Sequence, residues 1–552
     1  MENRLETQVL FSEKDKARGA KIVRVLAPVL APILSGGLLV LAYPRYDIAW
    51  LGWVGLVPLL IAITYKKPGY AFLMSFLCGL VFFAGVFDWI REVRGYQIIH
   101  HAVLGLYLGP MFGVFGLIYS FISRRRGATP ALVAAPFIWV SIEYLRSNIS
   151  FLSLPMALLA HSQSHYVHLI QFASFTGAYG IGFLMILVNA TIAAIILAFF
   201  TENMWLKLSE FKFPSRRAAI TLTLASLILV IAALIYGQSV LSQTINGKEI
   251  KVSVLQGNIA QNQKWDRKYA SYIMQTYTDL TRQAFEDKPD LIVWPEASTP
   301  GLVLKNRRLH KQIVSMIRQN SAYFIIGSSE YPKFAKQAYE KGTYGNAALF
   351  FSPNGKYLGQ YLKIRLVPFT ECLPHKEIIP WPDFIVPDKD ANFPIPGKEF
   401  KLFEMNGAKF GTLICWETLH PDLFRQFVKD GANFIVNITN EARYGETKAS
   451  YQIAAMNVFR AVESRVPVVR AANTGISCFI DSYGRITGRV HNNDRHIFVR
   501  GYLTKNIQTT KEKTFYTAYG DVFAYMSLII AILWIAYSFL PINKMKGDLS
   551  FD

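Results

Sequence analysis

Long apolar runs constrain this chain more than any other feature. Seven of them, near residues 25–43, 49–65, 70–90, 98–123, 129–147, 177–200 and 218–240, precede residue 245, and an eighth lies near 519–541. Each reaches or approaches the ~20 residues that carry a helix across a ~30 Å hydrocarbon layer. Several contain Gly and Pro, which membrane helices tolerate where neighbouring helices satisfy the freed backbone groups. An apolar content of 52% exceeds what a purely soluble enzyme needs. The N-terminal run follows a long basic lead and is followed by further spans, so it reads as a retained anchor and not as a removable signal peptide.

Basic residues set the orientation. They gather in the N-terminal segment (Arg4, Lys14, Lys16, Arg18, Lys21, Arg24), after the second run (Lys66, Lys67) and after the fourth (Arg124, Arg125, Arg126). More follow the sixth run (Lys207, Lys212, Arg216, Arg217) and the eighth (Lys544, Lys546), whereas the opposite short loops hold Arg45, Arg91, Arg94 and Arg146. The positive-inside rule then puts both termini in the cytoplasm. The expected organisation is a cytoplasmic segment 1–24, a membrane domain 25–244 with seven transmembrane helices, an extracytoplasmic domain 245–515, and a last helix with a cytoplasmic tail at 516–552. Much of the net charge of +20 belongs to the cytoplasmic loops. Contact with anionic lipid headgroups therefore explains it better than nucleic acid does.

From Lys248 the pattern changes. Short β-rich runs (Ile250–Leu255, Leu291–Trp294, Tyr323–Ile326, Ala347–Phe351, Phe410–Ile414, Phe434–Ile438 and Pro467–Ala471) alternate with helix-compatible stretches such as Tyr269–Phe285, Asn306–Arg318 and Lys448–Ser464. Several runs are almost wholly apolar, as strands buried on both faces are. A layered α/β domain is expected. Cys78, Cys372, Cys415 and Cys478 form neither a disulfide framework nor a metal-ligand spacing, so no metal and no cofactor are expected.

Three reactive residues punctuate this domain. Glu296 follows Leu291-Ile292-Val293-Trp294-Pro295, Lys363 closes Gly359-Gln360-Tyr361-Leu362, and Cys415 ends Gly411-Thr412-Leu413-Ile414. A thiol attacks an acyl carbon as thiolate, so it needs a base or cation beside it. Glu296 suits the base if burial raises its pKa. Lys363 and the backbone N–H of Trp416 suit the oxyanion of a tetrahedral intermediate. Glu371 is near enough in sequence to orient Lys363, and Glu417 lies two residues past the thiol. Taken singly each has a plainer reading, since a Cys ending an apolar strand is usually a small buried hydrophobe. The ordered combination carries the signal.

That combination resembles the nitrilase superfamily, whose Glu–Lys–Cys triad sits in an αββα sandwich, and the apolar spans narrow the resemblance to the bacterial apolipoprotein N-acyltransferases. It extends over nearly the whole chain. Similar stretches are Trp294-Pro295-Glu296-Ala297, Tyr361-Leu362-Lys363 with Leu366-Val367-Pro368-Phe369 and Glu371, and Cys415-Trp416-Glu417. Further ones are Asn437-Ile438-Thr439-Asn440, Arg460-Ala461-Val462-Glu463 and the run from Arg470 to Ser477. In the membrane part Trp139–Arg146, Gln171 and Gly177–Gly180 look familial. The chain also departs from the pattern. Where the family shows an acidic residue, a small one and then Trp-Phe-Gly after Asn440, this chain has Glu441-Ala442-Arg443-Tyr444-Gly445, which bears on that loop's acyl contacts and not on the triad. Thr370 and Cys372 flank Glu371, and Phe151-Leu152-Ser153-Leu154 precedes Pro155 without an aromatic-proline pattern.

The resemblance implies a two-step transfer at the outer face of a bacterial inner membrane. Cys415 takes an acyl chain from a phospholipid as a thioester. The free α-amine of a lipoprotein's diacylglyceryl-cysteine then accepts it. A monomer is expected. Two alternatives stand beside this: a membrane-tethered amidase using the same triad with water, and a non-catalytic membrane scaffold. Glu143 and Arg146, at i and i+3 in a span, are either functional, as intramembrane charges usually are, or a pair that fixes helix packing. Gln171 is open in the same way. The loops 297–306 and 372–396 flank the triad and are candidate lids.

Overall fold

A helical period and a strand period divide the molecule. The computed structural model describes residues 13–149, 151, 153–200, 212–264, 266–332, 343–386 and 393–541. Arg4, Lys207, Lys544, Lys546 and Leu152 lie outside them, as does 387–392 of the second candidate lid. The helical part runs through α1 (Glu13–Ala42), α2 (Val57–Ile63), α3 (Pro68–Val86), α4 (Ile98–Arg126), α5 (Ala128–Asn148), α6 (Ala178–Phe200) and α7 (Arg216–Leu241).

Six described helices are long and apolar enough to cross a membrane: α3 to α7 and a last one, Val522–Phe539. Two of the eight expected spans take a different form. In α1 the apolar stretch is 28–42, because its first half is charged. The run 49–65 is a 3-10 turn, Ala49–Trp53, followed by the seven-residue α2. Pro58, in the first turn of α2, explains the break, since proline starts a helix readily and interrupts its interior. Ile220, Leu224, Ile228, Ile231 and Ile235 on α7 face outward, as they do on a helix solvated by lipid. Helices α3 and α4 pack closely because a side chain on Gly109 or Gly116 would strike Phe76, or Ser75 and the Ala71 carbonyl.

The second part is a sandwich of two six-stranded sheets. The first has the order β12-β1-β2-β3-β4-β5 and the second β11-β10-β9-β8-β7-β6. The strands are β1 Glu249–Gln256, β2 Leu291–Val293, β3 Tyr323–Glu330, β4 Gly345–Phe351, β5 Tyr357–Leu362, β6 Leu402–Met405, β7 Ala408–Ile414, β8 Phe434–Thr439, β9 Val468–Ala472, β10 Cys478–Ile480, β11 Ile486–Arg489 and β12 Gly501–Gln508. Strands β1, β2 and β3 are parallel, and so are β7, β8 and β9.

Because strand side chains alternate between faces, Val252, Val254 and Val293 enter the core between the sheets, while Leu255, Ile292 and Trp294 meet α8 (Ala270–Phe285) and α9 (Arg307–Asn320). Phe350 and Phe410 touch across the sandwich with ring centroids 5.3 Å apart. On the other side α10 (Pro421–Lys429) and α11 (Ala449–Ser464) cover the second sheet, which completes the αββα order. The last span, α12 (Val522–Phe539), follows and returns to pack on α5 and α4.

Polar contacts dock the sandwich on the helices. The Gln452 amide reaches the carbonyls of Pro44 (3.3 Å) and Val86 (3.1 Å), Lys448 reaches the Gly85 carbonyl (2.6 Å), and Glu463 accepts the Ala178 N–H at the start of α6 (3.0 Å). Gln171 accepts from Arg465 and donates to the Tyr483 carbonyl at 2.8 Å.

Candidate active site

Parallel sheets converge their functional loops at the carboxyl ends of their strands, and here both parallel triplets end at one place. Glu296 lies just past β2 and Cys415 just past β7. Asn440 follows β8 and Asn473 follows β9. Asn473 laces the two sheets together, giving its amide N–H bonds to the Ile259 carbonyl (2.7 Å) and to Asn440 Oδ1 (3.0 Å), and accepting the Ile259 N–H (3.0 Å).

Two reactive side chains stand at strained turns. Cys415 has φ +56° and Ala297, beside Glu296, has φ +45°. Left-handed backbone at a residue with a side chain is uncommon and concentrates at functional sites. Cys415 opens a 3-10 turn, Cys415–Leu419, so the Trp416 N–H lies in its first turn with no partner inside the helix. Asn437 anchors the turn, its amide donating to the carbonyls of Leu413 (3.0 Å) and Cys415 (3.3 Å), and is itself held by Arg470, which also pairs with the fully buried Glu441. Gly327 on β3 is required at its position, because a Cβ there would strike the Pro295 carbonyl and the Glu296 backbone.

Around the thiol the charges interlock. Glu296 is buried, with Oε1 accepting from Asn346 Nδ2 (2.6 Å) and Oε2 from the Asn440 N–H (2.7 Å). Lys363 is fully buried, its Nζ 2.8 Å from Glu371 Oε1 and 3.6 Å from Glu296 Oε1. The second Glu371 oxygen accepts the Val367 N–H (2.9 Å), which aims the carboxylate at the lysine. Burial pushes the Cys415 thiol up to about 12, with Glu296 adding to the rise and Lys363 opposing it. A thiol held that high is neutral near pH 7 and would need a base before it could attack an acyl carbon. Burial alone lowers a lysine, but Glu371, the thiolate form of Cys415 and Glu296 outweigh it and hold Lys363 above its ordinary value, so it stays a cation.

Glu417 serves elsewhere. Its carboxylate accepts the N–H groups of Ile414 (2.8 Å), Ile364 (2.7 Å) and Arg365 (3.0 Å) and the Tyr361 hydroxyl (2.9 Å), tying the chain after Lys363 to the Cys415 turn. The Trp416 indole N–H, donating to the Arg365 carbonyl (2.9 Å), does the same. The three membrane-part candidates lie apart from this cluster. Glu143 Oε1 accepts the Leu159 N–H (2.8 Å), and Arg146 donates to the carbonyls of Leu154 (3.0 Å), Met156 (2.7 Å) and Ala157 (3.3 Å). No salt bridge joins them among the described residues, though each stands in the other's field, and each holds the loop after α5. A small pocket is lined by both of them with Leu39, Phe83, Phe112 and Trp139, and by no member of the Cys415 cluster. Gln171 is the domain-docking residue described above. The loop 297–306 is bonded in place through Ser298 to the Gly327 carbonyl (3.0 Å) and the Leu304 N–H to Glu330 (3.0 Å).

Asn346 and Lys264 are additions to the expected set. Lys264 is buried beside Glu296 and donates to its carbonyl (2.8 Å). Burial lowers this amine to about 8, against the pull of Glu296 and Cys415. The sequence signal for it was its place in a polar turn just past an apolar strand, at the carboxyl end of β1. Among the described residues no cluster of His, Cys, Asp and Glu could hold a metal ion.

Comparison with known proteins agrees with this layout. Residues 35–191 match the apolipoprotein N-acyltransferase N-terminal domain, and residues 251–509 match carbon-nitrogen hydrolase. An apolipoprotein N-acyltransferase of Geobacter metallireducens is 34% identical, over 92% of this chain and 95% of that protein. One from Chlorobaculum tepidum is 26% identical, over 93% and 97%. Among solved structures, an amidase from Nesterenkonia sp. aligns with TM-score 0.36 at 14% identity, over 48% of this chain and 93% of that one. The strands, helices and buried polar groups described above thus belong to a chain that is a member of the apolipoprotein N-acyltransferase family.

Proposed function

We propose that this membrane enzyme moves an acyl chain from a phospholipid to the α-amine of a lipoprotein's N-terminal diacylglyceryl-cysteine, through a thioester on Cys415. The observation that carries the reading is the closed set of Cys415, Glu296, Lys363 and Glu371 at the meeting point of the two sheets. In the first step Glu296 takes the thiol proton as sulfur attacks the ester carbonyl. Lys363 and the Trp416 N–H receive the oxyanion. The C–O bond breaks, the proton passes from Glu296 to the departing glycerol oxygen, and lysophospholipid leaves. In the second step the amine attacks the thioester, Glu296 removes its proton, and the thiol is restored as the amide forms. Glu371 and Glu417 position these groups, and Asn346 with the Asn440 N–H fixes the Glu296 carboxylate.

The charge asymmetry of the loops supports cytoplasmic termini and a periplasmic sandwich, with 25–244 and 516–552 as the membrane parts. One chain carries the whole set, which supports a monomer.

The test is the mass of a synthetic diacylated lipopeptide with a free N-terminus, incubated with purified protein and phospholipid. A gain of one acyl chain, absent with Cys415→Ala, is expected. Release of free fatty acid with no gain on the peptide overturns the reading in favour of a hydrolase.

A further inference from the structure

The turn Ala442–Tyr444, directly after β8 and Asn440, carries an arginine whose role the reaction does not explain. The turn is clamped to the rim of the helical domain. The Tyr444 ring meets Trp89 edge-on at 4.9 Å, the Trp89 indole donates to Gln452 (3.1 Å), and Gly445 abuts Glu92. The charges on either side are spoken for. Glu441 is bound by Arg470, and Lys448 lies 3.0 Å from Asp88. Arg443 is half-buried between them and has no hydrogen bond or ion pair among the described residues. It nonetheless stands in the field of Cys415, Glu371 and Glu296. The nearby anions favour its charge without binding it, so its donors are free, and its planar fork matches a phosphate bidentately.

We propose that Arg443 binds the phosphodiester of the acyl-donor phospholipid and thereby registers its ester over Cys415. This rests on the function proposed above and adds the group that recognises the donor. In a glycerophospholipid the phosphate and the acyl esters hang from neighbouring carbons of one glycerol. A cation beside the nucleophile, on a turn facing the helical domain, is therefore where the phosphate of a lipid arriving from the membrane falls. The phosphate takes no part in the bond changes. It stays on the lysophospholipid, so Arg443 acts on binding and not on the step at sulfur. An aromatic residue in its place recognises chains or faces; an arginine recognises charge.

The test follows thioester formation on Cys415 by intact mass, in detergent without added lipopeptide, using the full-length protein. Two donors carry the same acyl chain: phosphatidylglycerol, and a p-nitrophenyl ester that lacks phosphate. For Arg443→Gln the phosphatidylglycerol concentration that gives the half-maximal rate of thioester formation is expected to rise on the order of 10- to 100-fold, the loss of a charge-assisted contact, with the limiting rate within about 3-fold. The p-nitrophenyl ester should react as with wild type, and Arg443→Lys should recover part of the loss. An equal loss with both donors overturns the proposal, since Arg443 would then act on the thiol, and so does no loss with either. Wild-type protein that accepts the p-nitrophenyl ester but not phosphatidylglycerol also overturns it. Failure of the function proposed above reads out separately, as a thioester formed from phospholipid that never passes to a lipopeptide.

Discussion

Both halves of the molecule bury charge, and they handle it in opposite ways. In the sandwich, Lys363 lies between two carboxylates, at 2.8 Å from Glu371 and 3.6 Å from Glu296, with a thiol in the same field. In the helical part, Arg146 donates to three backbone carbonyls and Glu143 accepts a backbone N–H. Side chains that titrate can pass a proton along; carbonyls cannot. The first arrangement is suited to chemistry and the second to holding a loop in shape. Buried charge alone therefore does not mark a reaction centre. The nature of the partners does.

Replacing Lys363 by Met should strike both function and fold. Loss of an oxyanion partner costs about 10³-fold in rate, and stripping the cation from two buried carboxylates destabilises by about 3–5 kcal/mol. Thioester formation and thermal unfolding in detergent measure the two. A variant that keeps its rate removes Lys363 from the chemistry.

Cys415 offers a second large effect. With its thiol near 12, only about 10⁻⁴ is thiolate at pH 8, against roughly a quarter for an ordinary cysteine. A raised thiol pKa shifts reactivity toward high pH. Alkylation by iodoacetamide should therefore run about a thousandfold slower than for free cysteine at pH 8 and climb without a plateau through pH 10. A plateau near pH 9 would show a thiol with an ordinary pKa and remove the need for Glu296 as base.

Arg146→Met sharpens the contrast from the other side. Three carbonyls of the 154–157 loop lose their donor, at a cost of about 3 kcal/mol, seen as a lowered unfolding temperature. The rate per folded molecule should stay within about 3-fold. A large fall in that rate, with stability unchanged, would make the arginine part of the reaction and erase the distinction.

What the sequence made legible follows the same line. Glu296 and Cys415 each end an apolar strand, so local pattern exposed them, whereas Lys363 follows the half-exposed β5 and was legible through its order between them and its neighbouring residues; the seven strands expected from apolar runs are present. Strands β5, β6 and β10 to β12 were not expected. They are short or half-exposed, and β12 is defined by pairing with β1 across some 250 residues, which no local window contains. Asn346 and the Asn440 N–H reach Glu296 only through the fold. Apolar content signalled a span at 49–65, but the interruption before α2 needed its turn residues read as well.

Gln171 tests the smallest effect, and the one that joins the two regions. Its side chain donates to the Val167 carbonyl (2.7 Å) and the Tyr483 carbonyl (2.8 Å) and accepts from Arg465, so it links helical part and sandwich with no titrating partner but a permanent cation. By the rule drawn above it is a structural residue. Gln171→Ala should lower stability by about 1–2 kcal/mol, because Arg465 and the Tyr483 carbonyl lose a buried partner. The kinetics of thioester formation should be unchanged. Gln171→Glu separates geometry from charge: it still accepts from Arg465 but presents an oxygen to the Tyr483 carbonyl. It should therefore recover only part of the stability. If the carboxylate variant instead changed the rate while Ala did not, the docking contact would be transmitting charge to the reaction centre, and the two regions would be less separate in function than their partners make them.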